Sequence, residues 1–321
     1  MRNVSGITSI TVITAPFPDG QKFSCKHNCY YCPNEPAHQD NKWQAQPRSY
    51  LFHEPAVRRA NQHKFYAIGQ MLNRMDTYFS NGHVIDKLEI IIEGGTYTEY
   101  PVEYLERFHR DLIYVANTYF DREKRDRLTI HEEIEENRTA KIKIIGICIE
   151  TRPDAIGESS NGNHWLRNFR EWGVTRVQVG VQSLDDLVLK KINRGHTVAD
   201  SIRGIHLLKT HGFKVDIHMM PDLPGSTPES DKKGFYDLFN SIFFRPDQVK
   251  VYPTVLLENS YKIEFSTSSE DLLLKPEVQA ESDIGVNLPA LNLSTNTTPL
   301  RVIDMQPKNG SINNSKDINK I

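Results

Sequence analysis

Six short runs of apolar, largely β-branched residues recur along this chain: SITVITAP at 9–16, LEIIIEGG at 88–95, IKIIGICIETR at 142–152, RVQVGVQS at 176–183, KVDIHMMP at 214–221 and QVKVYPT at 248–254. Each reads as a fully buried strand. Between them lie stretches with helical periodicity, including PVEYLERFHRDLIYVANTYF, HWLRNFREWG and VADSIRGIHLLKTHG, the last two closing on a glycine suited to a helix end. Strand and helix alternate six times, which predicts an α/β fold with a parallel sheet, since right-handed crossovers return each strand beside the one before it. Such a sheet curls into a partial (β/α)6 TIM-like barrel with a gap. In barrels of this kind the chemistry sits at the C-terminal ends of the strands. Polar or glycine-rich sequence stands at those ends here, as EGGTY, ETRPD, VQS and MPDLPG, so the site is expected there.

Two segments depart from the alternation. Residues 118–140 form a dense charge run, expected to be a solvated helix or insertion. Beyond residue 257 the sequence loses periodicity and becomes rich in Ser, Asn and Thr, so the expected division is a barrel over 1–257 and a polar, disordered tail over 258–321. No internal repeat is present at solenoid or propeller periods. With 321 residues, 38% of them hydrophobic, the chain is long enough for a substantial core. Its formal charge of −2 gives no bulk reason to expect nucleic acid or a membrane, so an anionic partner would need a local basic patch. No apolar run reaches the length of a membrane span, and the start MRNVSGITSITVI lacks the apolar core and cleavage site of a secretory signal. A cytoplasmic or nuclear location is expected.

Three of the four cysteines fall within eight positions, Cys25, Cys29 and Cys32 in the stretch FSCKHNCYYCPNEP that follows the first strand. This is no disulfide framework, and a reducing compartment favours metal or redox chemistry for the triplet. Cys148, inside a strand, is expected to be core. A structural zinc site wants four protein ligands, and His27, the one extra donor nearby, sits awkwardly between two of the cysteines. A 4Fe-4S cluster held by three thiolates leaves one iron open to a substrate. The C-x3-C-x2-C spacing is that of the radical S-adenosylmethionine enzymes, and the EGGTY at the end of the next strand resembles their glycine-glycine motif. That resemblance implies an open iron that chelates S-adenosylmethionine and, on reduction, releases a 5'-deoxyadenosyl radical.

Candidate cofactor contacts follow at the strand ends. Gly94 and Gly95, with Thr96 behind them, let backbone approach a ligand closely. Glu150, Thr151, Arg152 and Asp154 close the third strand, where a carboxylate suits the ribose hydroxyls or the methionine amine; an Arg-carboxylate pair bracing the loop is the alternative. Gln182 and Ser183 end the fourth strand, and Asn193, Arg194, Gly195, His196 and Thr197 follow, either to orient the cofactor or to cap elements.

FKVDIHMMPDLPG at 213–225 and FRPDQVKVYPT at 244–254, with SYLFHEPAVRRA and GHVIDKLEIIIEGGTY, closely resemble the catalytic subunit of the Elongator complex and its bacterial and archaeal homologues. The resemblance runs from about residue 4 to 256. It implies modification of the wobble uridine of tRNA, with acetyl-CoA supplying a carboxymethyl-type group at ring carbon five. It makes Cys25, Cys29 and Cys32 the cluster ligands and matches Lys87 to a lysine that contacts acetyl-CoA. Arg48, Arg58, Arg59 and Lys64, interleaved with Tyr50, Phe52 and Phe65, are suited to gripping RNA phosphates and stacking on an unpaired base, or else form a helix with a basic outer face. The sequence also departs from the family: Asn34 and Glu35 replace a glycine pair after the triplet, and Glu93 stands where an apolar residue usually precedes GGT. The basic N-terminal region, the acetyltransferase domain and the cysteine/histidine zinc loop of the family have no counterpart. Acetyltransferase function from another chain, or from other Elongator-type subunits, is therefore one expectation. A non-catalytic module that binds tRNA or a partner, and a radical enzyme with another substrate, are the alternatives.

Overall fold

The structure is a computed structural model that describes residues 5–22, 24–157 and 162–255, with a short strand pair at 263–264 and 275–276. The domain boundary expected at 257 and the remainder of the expected tail lie outside the described residues. The six expected strands are all present: β1 (Thr8–Ile13), β2 (Lys87–Glu93), β3 (Lys143–Thr151), β4 (Val174–Gln182), β5 (Lys214–Met219) and β6 (Gln248–Val251). They form one sheet in sequential order, every neighbouring pair parallel. This is the curled half-barrel that repeated right-handed crossovers produce.

Helices fill the connections. After β1 come α1 (Pro55–Gln62) and α2 (Ala67–Ser80); α3 (Val102–Thr118) and α4 (Ile130–Asn137) follow β2; α5 (Asp154–Gly157) and α6 (Gly162–Glu171) follow β3. The remaining helices are α7 (Asp186–Lys191) and α8 (Val198–Thr210) after β4 and α9 (Pro228–Asn240) after β5. Local sequence sets their limits. Thr129, Thr197 and Thr227 each cap a helix by accepting from the backbone N–H three residues on. Gly173 and Gly212, at φ +79° and +77°, take the left-handed conformation that ends α6 and α8. Among the described residues no helix is long and apolar enough to cross a membrane.

The strands are not apolar on both faces, and this corrects the sequence-based expectation. One set of alternate residues, Leu88, Ile90 and Ile92, then Ile147 and Ile149, Val177 and Val179, and Val215 and Ile217, packs against the helices in a single core. The register places Glu89, Cys148, Arg176, Gln178, Asp216 and Gln248 along the other face. That concave face is polar and cross-linked: Arg176 pairs with Glu89 at 3.0 Å and with Asp216 at 3.5 Å across the sheet. Cys148 is 1% exposed and is core, as expected.

The charge run at 118–140 is only partly a solvated segment. Within it, α4 packs on α3 and buries Glu133 completely, because Arg125 pairs with both carboxylate oxygens at 2.7 and 2.8 Å while Leu128 N–H and Asn117 donate as well. A full set of donors makes a buried carboxylate tolerable.

Candidate functional site

The loop between β1 and α1 carries the three cysteines and docks on the C-terminal end of β2. Thr96 N–H donates to the Ser24 carbonyl at 3.0 Å, and Arg48 N–H donates to the Ser24 hydroxyl at 2.9 Å. Gly94 and Gly95 are required for this docking. A Cβ on Gly95 would stand 2.0 Å from the Ser24 carbonyl oxygen, and one on Gly94, at φ +156°, would stand 1.8 Å from Thr14 Oγ1. These glycines thus allow a close approach of protein to protein. It fixes the loop that bears the thiols.

Cys25, Cys29 and Cys32 all line one cleft of about 80 Å³, together with Gly94, Gly95, Glu150, Gln182 and Arg194. Each sulfur has its own polar neighbour. Cys25 Sγ shares a hydrogen bond with Thr96 Oγ1 at 3.1 Å, and Cys32 Sγ shares one with Ser49 Oγ at 2.7 Å. Cys29 receives two guanidinium donors, Arg194 at 3.5 Å and Arg152 at 3.6 Å. Burial pushes the Cys29 thiol up, but the two adjacent guanidinium charges outweigh it and hold the thiol below its ordinary value. Burial wins at Cys32, which is raised despite Arg48.

The two guanidinium groups are themselves anchored. Arg152 donates to both oxygens of Asp154 at 3.0 and 3.1 Å and to the Arg194 carbonyl at 2.6 Å. Arg194 donates to the Gly180 carbonyl at 2.6 Å and to His196 Nε2 at 3.0 Å. Burial and then the Arg194 and Arg152 charges drive the His196 pKa down to about 3, so its ring is neutral and accepts from Arg194. The expected Arg-carboxylate pair is present, since Arg152 and Asp154 brace the loop, and the Arg152 guanidinium also faces Cys29.

The remaining expected residues divide. Glu150 lines the cleft, accepts from the Tyr50 hydroxyl at 2.9 Å and lies 3.5 Å from His218 Nδ1. Gln182, at φ +73°, also lines it. Ser183 accepts from Asp185 N–H, and Thr197 caps α8; both hold elements in place. Asn193 donates to the Asn28 carbonyl at 2.7 Å and ties the cysteine loop to the turn after α7. His27 lies 4.0 Å from Glu99, and burial and Arg152 take its pKa down to about 4.

Lys87 is exposed at the first residue of β2, seven positions before Gly94 and so roughly 20 Å away along an extended strand, and the structure does not bring it to the cleft. Two expectations need correction. Arg48 is buried in the cysteine loop, where it donates to Asn28 at 3.1 Å, and Arg59 donates to the Thr11 carbonyl at 2.6 Å. Phe52 and Phe65 are buried and Tyr50 is engaged by Glu150, so these rings are not a stacking platform. Only Arg58 and Lys64 of that group are exposed.

The departures Glu35 and Glu93 have distinct fates. Glu35 is buried and accepts from Phe52 N–H and Asn41 Nδ2, closing the loop that follows the triplet. Glu93 sits at the mouth of the concave face. Sequence reasoning also missed Ser49 as the partner of Cys32, a contact across 17 positions that no local pattern marks.

These residues fit a thiolate-ligated cluster. The donor set is three thiols in one cleft, one of them biased toward the thiolate by buried cations that also offset the charge of an anionic centre. Among the described residues no three Cys, His, Asp or Glu side chains are grouped to hold a single metal ion.

The half-barrel with its thiol cleft defines a radical S-adenosylmethionine protein: the Radical SAM superfamily model matches residues 23–233, and the chain belongs to that superfamily. The superfamily implies a 4Fe-4S cluster and S-adenosylmethionine. Within it, the chain is similar to the tRNA uridine(34) acetyltransferase of Dehalococcoides mccartyi, 36% identical over 81% of this chain and 51% of that protein. It is also similar to Elongator complex protein 3 of Homo sapiens, 34% identical over 81% of this chain and 45% of that one. Archaeal Methanocaldococcus infernus Elp3, solved with an N-terminal deletion, superposes with a TM-score of 0.62 at 30% identity, over 80% of this chain and 48% of that one. The chain spans about half the length of the relatives it matches.

Proposed function

We propose that this chain is the radical-generating half of a wobble-uridine-modifying system, with Cys25, Cys29 and Cys32 holding a 4Fe-4S cluster. The convergence of three thiols and two buried guanidinium groups on one cleft carries the reading. When bound, the cluster supplies the electron that cleaves S-adenosylmethionine reductively. The protein's part is binding and orientation. Arg194 and Arg152 stabilise the Cys29 thiolate, and their anchoring by Gly180, Asp154 and His196 keeps them from turning away. Glu150 and Gln182 present polar groups to the methionine amine and ribose of the cofactor. Thr96 and the Gly94–Gly95 turn fix the loop against which the cofactor lies.

The names of the relatives support tRNA as the substrate, with uridine as its modified base, and acetyl-CoA as co-substrate. In this reading the CoA is bound by an acetyltransferase unit outside the half-barrel, and Lys87 takes no part in the cleft. In this reading the exposed Arg58 and Lys64 contact RNA phosphates.

The test is anaerobic purification and reconstitution with iron and sulfide, followed by dithionite and S-adenosylmethionine and an assay for 5'-deoxyadenosine. Product from the native chain and its loss in Cys29→Ala are expected. A chain loaded with cluster that yields no 5'-deoxyadenosine would overturn the reading.

A further inference from the structure

Beside the thiol cleft, where Glu150 serves the proposed chemistry, the concave face carries further polar groups that this chemistry does not use. Glu93 ends β2, Glu150 stands near the end of β3, His218 on β5 pairs in register with Lys250 on β6, and Tyr252 follows. The Glu93 backbone carbonyl is engaged by Thr14, but its carboxylate accepts no hydrogen bond among the described residues. His218 is 5% exposed, its Nδ1 faces Glu150 and its Nε2 has no partner among the described residues. Lys250 is half-buried and forms no ion pair within 4 Å among the described residues. A buried polar atom is normally satisfied within the protein, so a face that leaves the His218 Nε2 open beside a half-buried carboxylate and ammonium is arranged for a polar ligand.

We infer that this face is the subsite for the hydrogen-bonding edge of a uracil-type ring, with Glu93 accepting the ring imide N–H and Lys250 donating to an adjacent carbonyl oxygen. The inference rests on the wobble-uridine reading and deepens it. A uracil edge alternates carbonyl, N–H, carbonyl, and needs one acceptor flanked by donors. Cytosine presents a lone-pair nitrogen at the same position, which a carboxylate repels. The position of the face fits: Glu93 immediately precedes the Gly94–Gly95 turn, and Glu150 lines both the face and the cleft, so a ring held there lies next to the bound cofactor.

The electrostatic state of Glu93 is consistent with this. Burial and the Glu150 charge push its carboxyl up to about 7, Glu54 adds to the rise, and Lys250 and Arg59 oppose it. Only the ionised carboxylate is a pure acceptor, so ring binding strengthens as pH rises through that value.

The probes are uridine, 3-methyluridine and cytidine as free nucleosides, titrated by ligand-observed NMR against the reconstituted chain, and an anticodon stem-loop RNA carrying each base in turn. Uridine is expected to bind about tenfold tighter than 3-methyluridine, which lacks the imide N–H, and tighter than cytidine. Glu93→Leu should erase the discrimination. Glu93→Gln keeps an acceptor and should retain most of it, but without the rise in affinity from pH 6 to 8. Equal binding of uridine and 3-methyluridine by the native chain, or discrimination that survives Glu93→Leu, would overturn the subsite. The wobble-uridine reading fails separately: nucleoside discrimination without stem-loop binding removes the RNA substrate and leaves the subsite, whereas stem-loop binding indifferent to base and to Glu93 does the reverse.

Discussion

His109 illustrates how far a single residue's chemistry is set by its surroundings. It is fully buried on α3, with Nε2 2.6 Å from the Tyr97 hydroxyl and Nδ1 3.1 Å from the Trp172 carbonyl. A neutral ring satisfies both, donating from Nδ1 and accepting at Nε2. Burial takes its pKa down to about 4, from 6.5. The folded-state value is depressed, so the unfolded chain takes up a proton first. The ring's contribution to stability is therefore complete above pH 6.5 and is lost as the pH falls toward 4, by roughly 3 kcal/mol for a shift of this size. Urea unfolding of the native chain and of His109→Phe should show a stability gap at pH 7 that closes by pH 4; a gap independent of pH would exclude this account. Nothing in the stretch LERFHRDL marks this histidine as different from the others, because the partner residues are 12 and 63 positions away.

At the scale of elements, the decisive contact is the docking of the cysteine loop on the end of β2. Gly95→Ala puts a methyl group against the Ser24 backbone carbonyl, which has no rotamer through which to escape. The sheet and helices should form, since β2 itself ends at Glu93, but the loop should be displaced. The expected result is unchanged far-UV circular dichroism with a markedly lower iron content after reconstitution; full iron loading would contradict it. The motif marked this glycine pair for close approach to a ligand, and the structure adds a close approach to Ser24 and Thr14 that no local pattern shows. The α3–α4 contact offers a second test. Glu133→Ala removes the carboxylate that accepts from Arg125, Asn117 and Leu128 N–H and should cost roughly 3 kcal/mol, read from denaturant midpoints. A change under about 0.5 kcal/mol would mean that this carboxylate behaves as a surface charge. The charge run concealed this buried member because polarity along a sequence does not reveal which residue finds a partner.

For the whole molecule, the sheet divides the half-barrel into an apolar convex side packed under helices and a polar concave side that runs up to the thiol cleft. The cluster would join the first crossover to the ends of β2, β3 and β4 through groups already in contact, so loading it should stabilise the fold as a ligand that binds only the native state does. Reconstitution with iron and sulfide should raise the thermal midpoint, chelation under oxidising conditions should reverse the rise, and a chain with Cys25, Cys29 and Cys32 all replaced by alanine should show neither effect. A midpoint that rises equally in that variant would place the metal elsewhere.

Local sequence determined the number and order of the strands in the six-stranded sheet and most of the helices, because buried runs, helical periodicity and caps act over a few residues. It also determined the spacing of the cysteine triplet and, by resemblance, the cluster chemistry proposed for it. The tertiary structure alone decided which alternate residues of each strand meet the helices and which line the barrel, since that depends on register and on the curl of the sheet. It decided that Arg48 and Arg59 turn inward, that Lys87 stays at the far end of its strand, and that Arg152 and Arg194 meet at Cys29 from 123 and 165 positions away. Contacts of that span exist only after the crossovers have closed, so no stretch of sequence contains them.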